Sequence, residues 1–205
     1  MPPFFRGLLL GLSLIVAIGP QNAFVLRAGL TRQRALLSAL ACALCDTALI
    51  AAGVLGVGGL LARSPGLVLA GTLGGAAFLA WYGLRALRSA WVGGGPGLEA
   101  AGEAPLTARQ VIGTAVGFSL LNPHALLDTV VLIGGASAGL GTGARLAFLG
   151  GTVLASWLWF FALALAGRTL APLMARPQAW RVLDTLIGLT LLLTAAGLLL
   201  GLRGQ

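Results

Sequence analysis

Long apolar runs dominate the chain, interrupted by short polar clusters, and their length sets the elements. A helix needs about 20 apolar residues to cross the hydrocarbon core of a bilayer. Six segments of that kind are predicted, at 4–26, 35–61, 67–90, 109–134, 145–167 and 178–201. The run 186–200 is apolar on every face. The strands of a membrane barrel alternate apolar and polar residues, so helices are the spanning element here. Turn-forming clusters separate the runs: Arg27-Ala28-Gly29-Leu30-Thr31, Arg63-Ser64-Pro65-Gly66, and the glycine-rich 139–143. The longest connection, from about 91 to 108, contains Gly93-Gly94-Gly95-Pro96-Gly97 with Glu99 and Glu103, and reads as a flexible linker. It ends at Thr107-Ala108-Arg109-Gln110, the spacing of a capping box that starts a helix.

The linker, 93–108, divides the chain into 1–92 and 109–205, each holding three predicted spans. The first span of each half has a Gly-xxx-Gly pair followed by a proline: Gly7 and Gly11 before Pro20, Gly113 and Gly117 before Pro123. Glycine-containing runs around Gly74 and Gly188 correspond in the third spans. Chance similarity between apolar helices is the alternative to a duplication. With three spans per half, a duplication places the halves in opposite orientations, the inverted-repeat plan of many secondary transporters. The expected fold is therefore an all-α integral membrane protein, six transmembrane helices arranged as two inverted three-helix repeats.

Composition excludes the soluble alternatives. Hydrophobic residues make up 58% of the chain and charged residues 9%, and the mean hydropathy is +0.98. A soluble domain carries about 25% charged residues. The net charge of +8 comes from thirteen basic residues, all arginine. No soluble domain or aromatic-basic cluster is present for nucleic acid to bind, so the arginines report topology instead. Arg27, Arg32, Arg34, Arg85, Arg88, Arg109, Arg168, Arg176 and Arg181 fall on one side of the predicted spans. Arg6, Arg63, Arg145 and Arg203 fall on the other. Basic residues accumulate in cytoplasmic loops, which places the odd-numbered loops inside and both termini outside. The first segment lacks a convincing cleavage site and reads as a retained helix rather than a signal peptide. Cys42 and Cys45 lie within an apolar span and give neither a disulfide framework nor a metal site; no metal or cofactor is expected.

Candidate chemistry is concentrated in a few polar residues. Of five acids, Asp46, Asp128 and Asp184 fall within predicted spans or at their ends. An intramembrane carboxylate is costly and marks an ion or substrate path by default, the alternative being a protonated or hydrogen-bonded link between helices. Asp184 lies near a helix start, where an acid complements the helix dipole. Pro20 and Pro123 each remove a backbone donor and free a carbonyl, that of Val16 and that of Ser119. Gln21 and Asn22 flank the first break, Asn122 and His124 the second. Broken helices with polar residues, one per half, are the best sequence pointer to a transporter's binding site. His124, the single histidine, suits either a proton relay or a cap on the broken helix. Trp157 and Trp159 read as packing or interfacial aromatics more readily than as a cavity wall. Trp91 and Trp180 fit an interfacial belt.

Gly19-Pro20-Gln21-Asn22-Ala23-Phe24-Val25 and Leu121-Asn122-Pro123-His124 resemble signatures of the lysine exporter (LysE) family, most closely its arginine-exporter branch. Asp46, the segment Ala77-Phe78-Leu79-Ala80-Trp81-Tyr82-Gly83 and Leu127-Asp128-Thr129 fit the same pattern, which covers nearly the whole chain. The resemblance implies a six-helix exporter of basic amino acids in the bacterial inner membrane, driven by the proton gradient, and not an enzyme. Its partners would be the amino acid, protons and lipid, and a homodimer is compatible with it. Substrate-binding and coupling roles then fall to Asp46, Asp128, Asn22, Gln21, Asn122 and His124, around Pro20 and Pro123. Two alternatives stay open: an exporter of neutral amino acids or another small solute, and an intramembrane aspartyl protease. The usual Gly-x-Gly-Asp of such proteases is absent.

Overall fold

The computed structural model describes residues 1–16, 19–56, 65–92, 106–120, 127–172 and 177–203. Its elements are α1 (Pro3–Ile15), α2 (Pro20–Leu30), α3 (Ala35–Val54), α4 (Pro65–Val92), α5 (Ala108–Leu120), the π-helical α6 (Leu127–Ile133), α7 (Gly134–Ser137), α8 (Thr142–Leu170) and α9 (Pro177–Arg203). The described residues are helical apart from turns and short connections. Four helices open on proline, which fits the first turn because its missing N–H has no helical partner there. The capping box forms as expected: the Gln110 amide nitrogen donates to Thr107 Oγ1 at 3.3 Å, and Thr107 N–H donates to Gln110 Oε1 at 2.8 Å.

Among the described residues, three helices are long and apolar enough to cross a membrane by themselves: Ala35–Val54, Thr142–Leu170 and, within α9, Gln178–Gly201. The bent pair α1 and α2 qualifies as a fourth span when taken together. The expected first span, 4–26, is thus not one kinked helix. Its two parts meet at 79°, Pro20 is the first residue of α2, and Gly19 is its extended N-cap. The helix then continues to Leu30, so the turn expected at 27–31 is largely helix. The expected second span, 35–61, is helical only to Val54. Its last five residues, the turn residues Arg63 and Ser64, and residues 93–105 of the linker lie outside the described residues.

Close backbone contacts at glycine hold the helices together. Lipid supplies no hydrophobic force between helices, so close packing of small residues has to do so. α1 lies along α8: a Cβ on Gly7 would overlap the Phe148 carbonyl, and one on Gly151 the Phe4 carbonyl. Thr152 Oγ1, buried in this contact, reaches the Gly7 and Phe148 carbonyls at 3.2 and 3.0 Å. Gly29 of α2 meets Gly167 of α8, Gly53 of α3 meets Gly134 of α7, and Gly83 of α4 meets Gly188 of α9. α4 and α9 run antiparallel, with Ser89 beside Asp184 and Gly83 beside Gly188. The expected correspondence of glycines between the halves extends to packing at Gly11 and Gly117, both tightly enclosed, and not at the other two pairs. Gly113 and Gly74 would meet nothing within 4 Å, whereas Gly7 and Gly188 are tightly enclosed.

Candidate functional site

Asp46 lies mid-helix in α3 and is 6% exposed. α3 is lined by small residues there, with Ala39, Cys42 and Ala43 buried against Phe160 and Ala164 of α8 and Ala115 of α5. That close approach brings four helices to one carboxylate. Gln21 Nε2, on the first turn of α2, donates to Asp46 Oδ1 at 3.1 Å. Ser156 Oγ, on α8, donates to Asp46 Oδ2 at 3.1 Å. The same Gln21 nitrogen donates to Ser119 Oγ, near the end of α5, at 2.7 Å. Ser119 thus ties α5 to the group through Gln21, and its own hydroxyl donates to the Ala115 carbonyl at 2.8 Å. Among the described residues, no cationic side chain is paired with Asp46.

The residue beside Gln21 seals the break. Asn22 Nδ2 donates to the Ile15 carbonyl at 2.8 Å, which satisfies a backbone acceptor at the end of α1. Trp159 Nε1 donates to Asn22 Oδ1 at 3.1 Å, and Trp157 Nε1 donates to Thr47 Oγ1 at 3.0 Å. Both tryptophans therefore work through their indole N–H as well as their packing. Expected site residues Pro20, Gln21, Asn22 and Asp46 are brought together. Asn122, Pro123 and His124 lie outside the described residues, as do Val16's neighbours 17 and 18. Asp128 is the second residue of α6, and its side chain is not among those described. Its backbone is nonetheless placed in a π-helix, an element often found at functional sites.

A second buried polar group was not expected. Asp184 is well inside α9, not in its first turn, and is 1% exposed. It accepts from Arg27 Nη1 at 2.5 Å and from Ser89 Oγ at 2.8 Å. Its reading as a dipole-stabilising acid is therefore corrected: its charge is held by an arginine. Arg27, counted as a loop charge, is buried in the last turn of α2 and does not report topology. Trp180 is likewise no belt residue, being 7% exposed with its ring 5.8 Å from Arg27 Cζ. Trp91 is 87% exposed and keeps its assignment to the surface. Ser119, Ser156 and Ser89 carried no signal in the sequence, because serine is common in membrane helices as a neutral packing residue. An arginine and an acid both near span ends were the available hint for the Arg27–Asp184 pair. Cys42 and Cys45 are free thiols, and no metal-binding group of three ligands occurs among the described residues.

Comparison with known proteins covers most of the chain. A model of the family LysE type translocator matches residues 12–202. The protein named YggA of Aeromonas salmonicida is 44% identical over 190 residues, 91% of this chain and 90% of that protein. The arginine exporter protein ArgO of an Enterobacter species is 45% identical over 190 residues, 92% of this chain and 89% of that one. ArgO of Salmonella schwarzengrund is 43% identical over 194 residues, 94% and 90% of the two chains. No solved structure matches.

Proposed function

Because this chain belongs to the LysE type translocator family and is a transporter rather than an enzyme, we propose that it exports basic amino acids, arginine foremost, across a bacterial plasma membrane in exchange for protons. The observation that carries the reading is Asp46, a buried carboxylate held by the neutral donors Gln21 and Ser156. A buried carboxylate without a cation partner is expensive when ionised. A proton or a cationic solute relieves that cost, and the two relieve it alternately in an antiporter. Arginine or lysine brings two cations and one carboxylate, net +1. Asp46 and Asp128 together bring two negative charges, so the loaded site is near −1 and one proton neutralises it.

The substrate's carboxylate has a matching partner in the helix end at Pro20. Ala23 is the first residue of α2 whose amide bonds back, to the Gly19 carbonyl at 3.1 Å. The turn before it presents the positive end of the helix dipole, which favours anions. Asn22, Asn122 and His124 supply further polar groups around the two breaks.

The same reading divides the chain into two inverted repeats, 1–92 and 109–205, joined by the linker. Three contacts support it. The end of the first span rests on the second span of the other half at Gly29 and Gly167, and the end of the fourth span rests on the second at Gly134 and Gly53. Arg27 in the last turn of α2 and Ser89 near the end of α4 also meet at Asp184 of α9, which is compatible with alternating crossings. Labelling tests the topology on a background without Cys42 and Cys45. An impermeant thiol reagent applied to intact cells should modify Gln205→Cys and spare Gly95→Cys, and the reverse result overturns the orientation.

Substrate is tested by counterflow in proteoliposomes carrying an imposed pH gradient. Arginine and lysine should exchange about tenfold or more faster than a neutral amino acid, the worth of one charged hydrogen bond. Equal rates for all three remove the basic-substrate reading.

A further inference from the structure

Packing divides the described helices into two bodies. α1, α2, α3, α5, α6, α7 and α8 pack on one another in a connected core, whereas α4 and α9 pack mainly on each other. The pair meets the core along a narrow seam, chiefly at α5 and α2. The middle of the seam is aromatic: Phe78 and Tyr82 of α4 pack edge-to-face on Phe118 of α5, with ring centroids 5.1 and 4.8 Å from it. A small apolar cavity lies in it, lined by Pro20, Phe24, Phe118 of the core and Tyr82, Ile187, Leu191 of the pair. The aliphatic part of Arg27 closes one side. Polar contacts across the seam include Tyr82 with Thr114 at 3.1 Å and Arg27 with Asp184.

We propose that the α4–α9 pair rocks as a unit against the core, and that Arg27–Asp184, braced by Ser89, is the latch that holds the seam shut at this end. The inference deepens the transport reading and rests on it for its purpose, which is to close one side of the site around Asp46.

Three features separate a latch from permanent cohesion. A buried ion pair is worth keeping only when its remaining donors are satisfied, yet Arg27 Nη2 is buried with no hydrogen-bond partner. The pair is thus held incompletely, where α9 meets α2. The seam also contrasts with the interfaces inside each body. Those interlock backbone against backbone at glycine, as at Gly7, Gly29, Gly53 and Gly83, whereas the glycine in the seam, Gly117, meets the ring of Phe78, a side chain, and not backbone. Finally, α2 carries both functions on one rigid rod. Gln21 at its start holds Asp46, and Arg27, six residues and about 9 Å further along at 1.5 Å per residue, holds Asp184. A change in what Asp46 binds moves Gln21, and through α2 it moves the latch.

The test reads opening without any substrate. Ile187→Cys, placed in the seam on a background lacking Cys42 and Cys45, is labelled with N-ethylmaleimide in proteoliposomes. With Arg27 and Asp184 intact the reaction should be slow. Arg27→Gln should raise its rate about tenfold or more, because the closed state loses the latch and the open population grows in proportion. Arg27→Lys keeps the cation and should stay within about threefold of the intact protein. Equal rates for arginine and glutamine overturn the latch, and so does a lysine variant as fast as the glutamine one, which would make the effect one of packing. Should Arg27→Gln fail to reach the membrane, Ser89→Ala removes only one donor to Asp184, and an unchanged rate there is equally fatal. Counterflow with unselective substrates would remove the basic-substrate reading and leave this result standing; the converse also holds.

Discussion

Replacing Asp46 with asparagine is expected to lower proton-coupled arginine exchange about a hundredfold or more while leaving the protein folded in the membrane. Asparagine has nearly the shape of aspartate. Its carbonyl oxygen can still accept from Gln21 Nε2 or Ser156 Oγ, the two donors now 3.1 Å from the carboxylate. What it lacks is the charge and the proton. A charged hydrogen bond contributes about 1.5–3 kcal/mol, which corresponds to roughly one to two powers of ten in binding. Loss of the titrating group removes the coupling as well, so the pH gradient should no longer accelerate exchange. Asp128→Asn should behave in the same way. Radiolabelled arginine counterflow with and without the gradient measures both effects, and a size-exclusion profile in detergent reports folding. Full activity in both variants would leave the acids as links between helices and end the proposed mechanism.

The second large effect is structural and rests on two glycines with the same sequence signature. Gly7 and Gly113 each open a Gly-xxx-Gly pair ahead of a proline. Gly7 faces the backbone of α8, where a Cβ would overlap the Phe148 carbonyl and lie 2.8 Å from Thr152 Oγ1. Gly113 would meet nothing within 4 Å. Gly7→Leu therefore has to push α1 off α8, breaking the Thr152 bond to the Gly7 carbonyl. Overpacking of this kind costs about 1–3 kcal/mol and more where backbone is struck. Each kcal/mol is worth about 2–4 °C in a chain of this size, so the melting temperature in detergent should fall by roughly 10 °C. Gly113→Leu gains helix propensity, about 1 kcal/mol for replacing glycine, and should leave the melting temperature unchanged or slightly raised. Similar losses at the two positions would contradict the packing described for α1 and α8.

Those two glycines mark where reading the sequence stops. The helices themselves were legible. Apolar runs of spanning length and Thr107 and Gln110 at capping-box spacing are local features, and local backbone chemistry decides them. The break at Pro20 and its polar neighbours Gln21 and Asn22 were legible for the same reason. So was Asp46, since a carboxylate in an apolar run stands out whatever surrounds it. The angle of the break was not, because proline ends a helix without fixing the direction of the next one.

The partners of these residues belong to tertiary structure. A helix apolar on all faces carries no stripe that says which side turns inward, and lipid is as apolar as a neighbouring helix. Ser119 and Ser156 therefore looked like any other membrane serine until α5 and α8 were set against α3. Arg27 looked like a loop charge and Asp184 like a helix-end acid, when each is the other's counter-ion across 157 residues of chain. Sequence alone determined that this protein is helical, apolar and broken at Pro20, with a buried acid that needs explaining. Which helix faces that acid, and which glycine lies against backbone, was decided only by close packing, because contact depends on the rotation and pairing of whole helices and neither is written in any one of them.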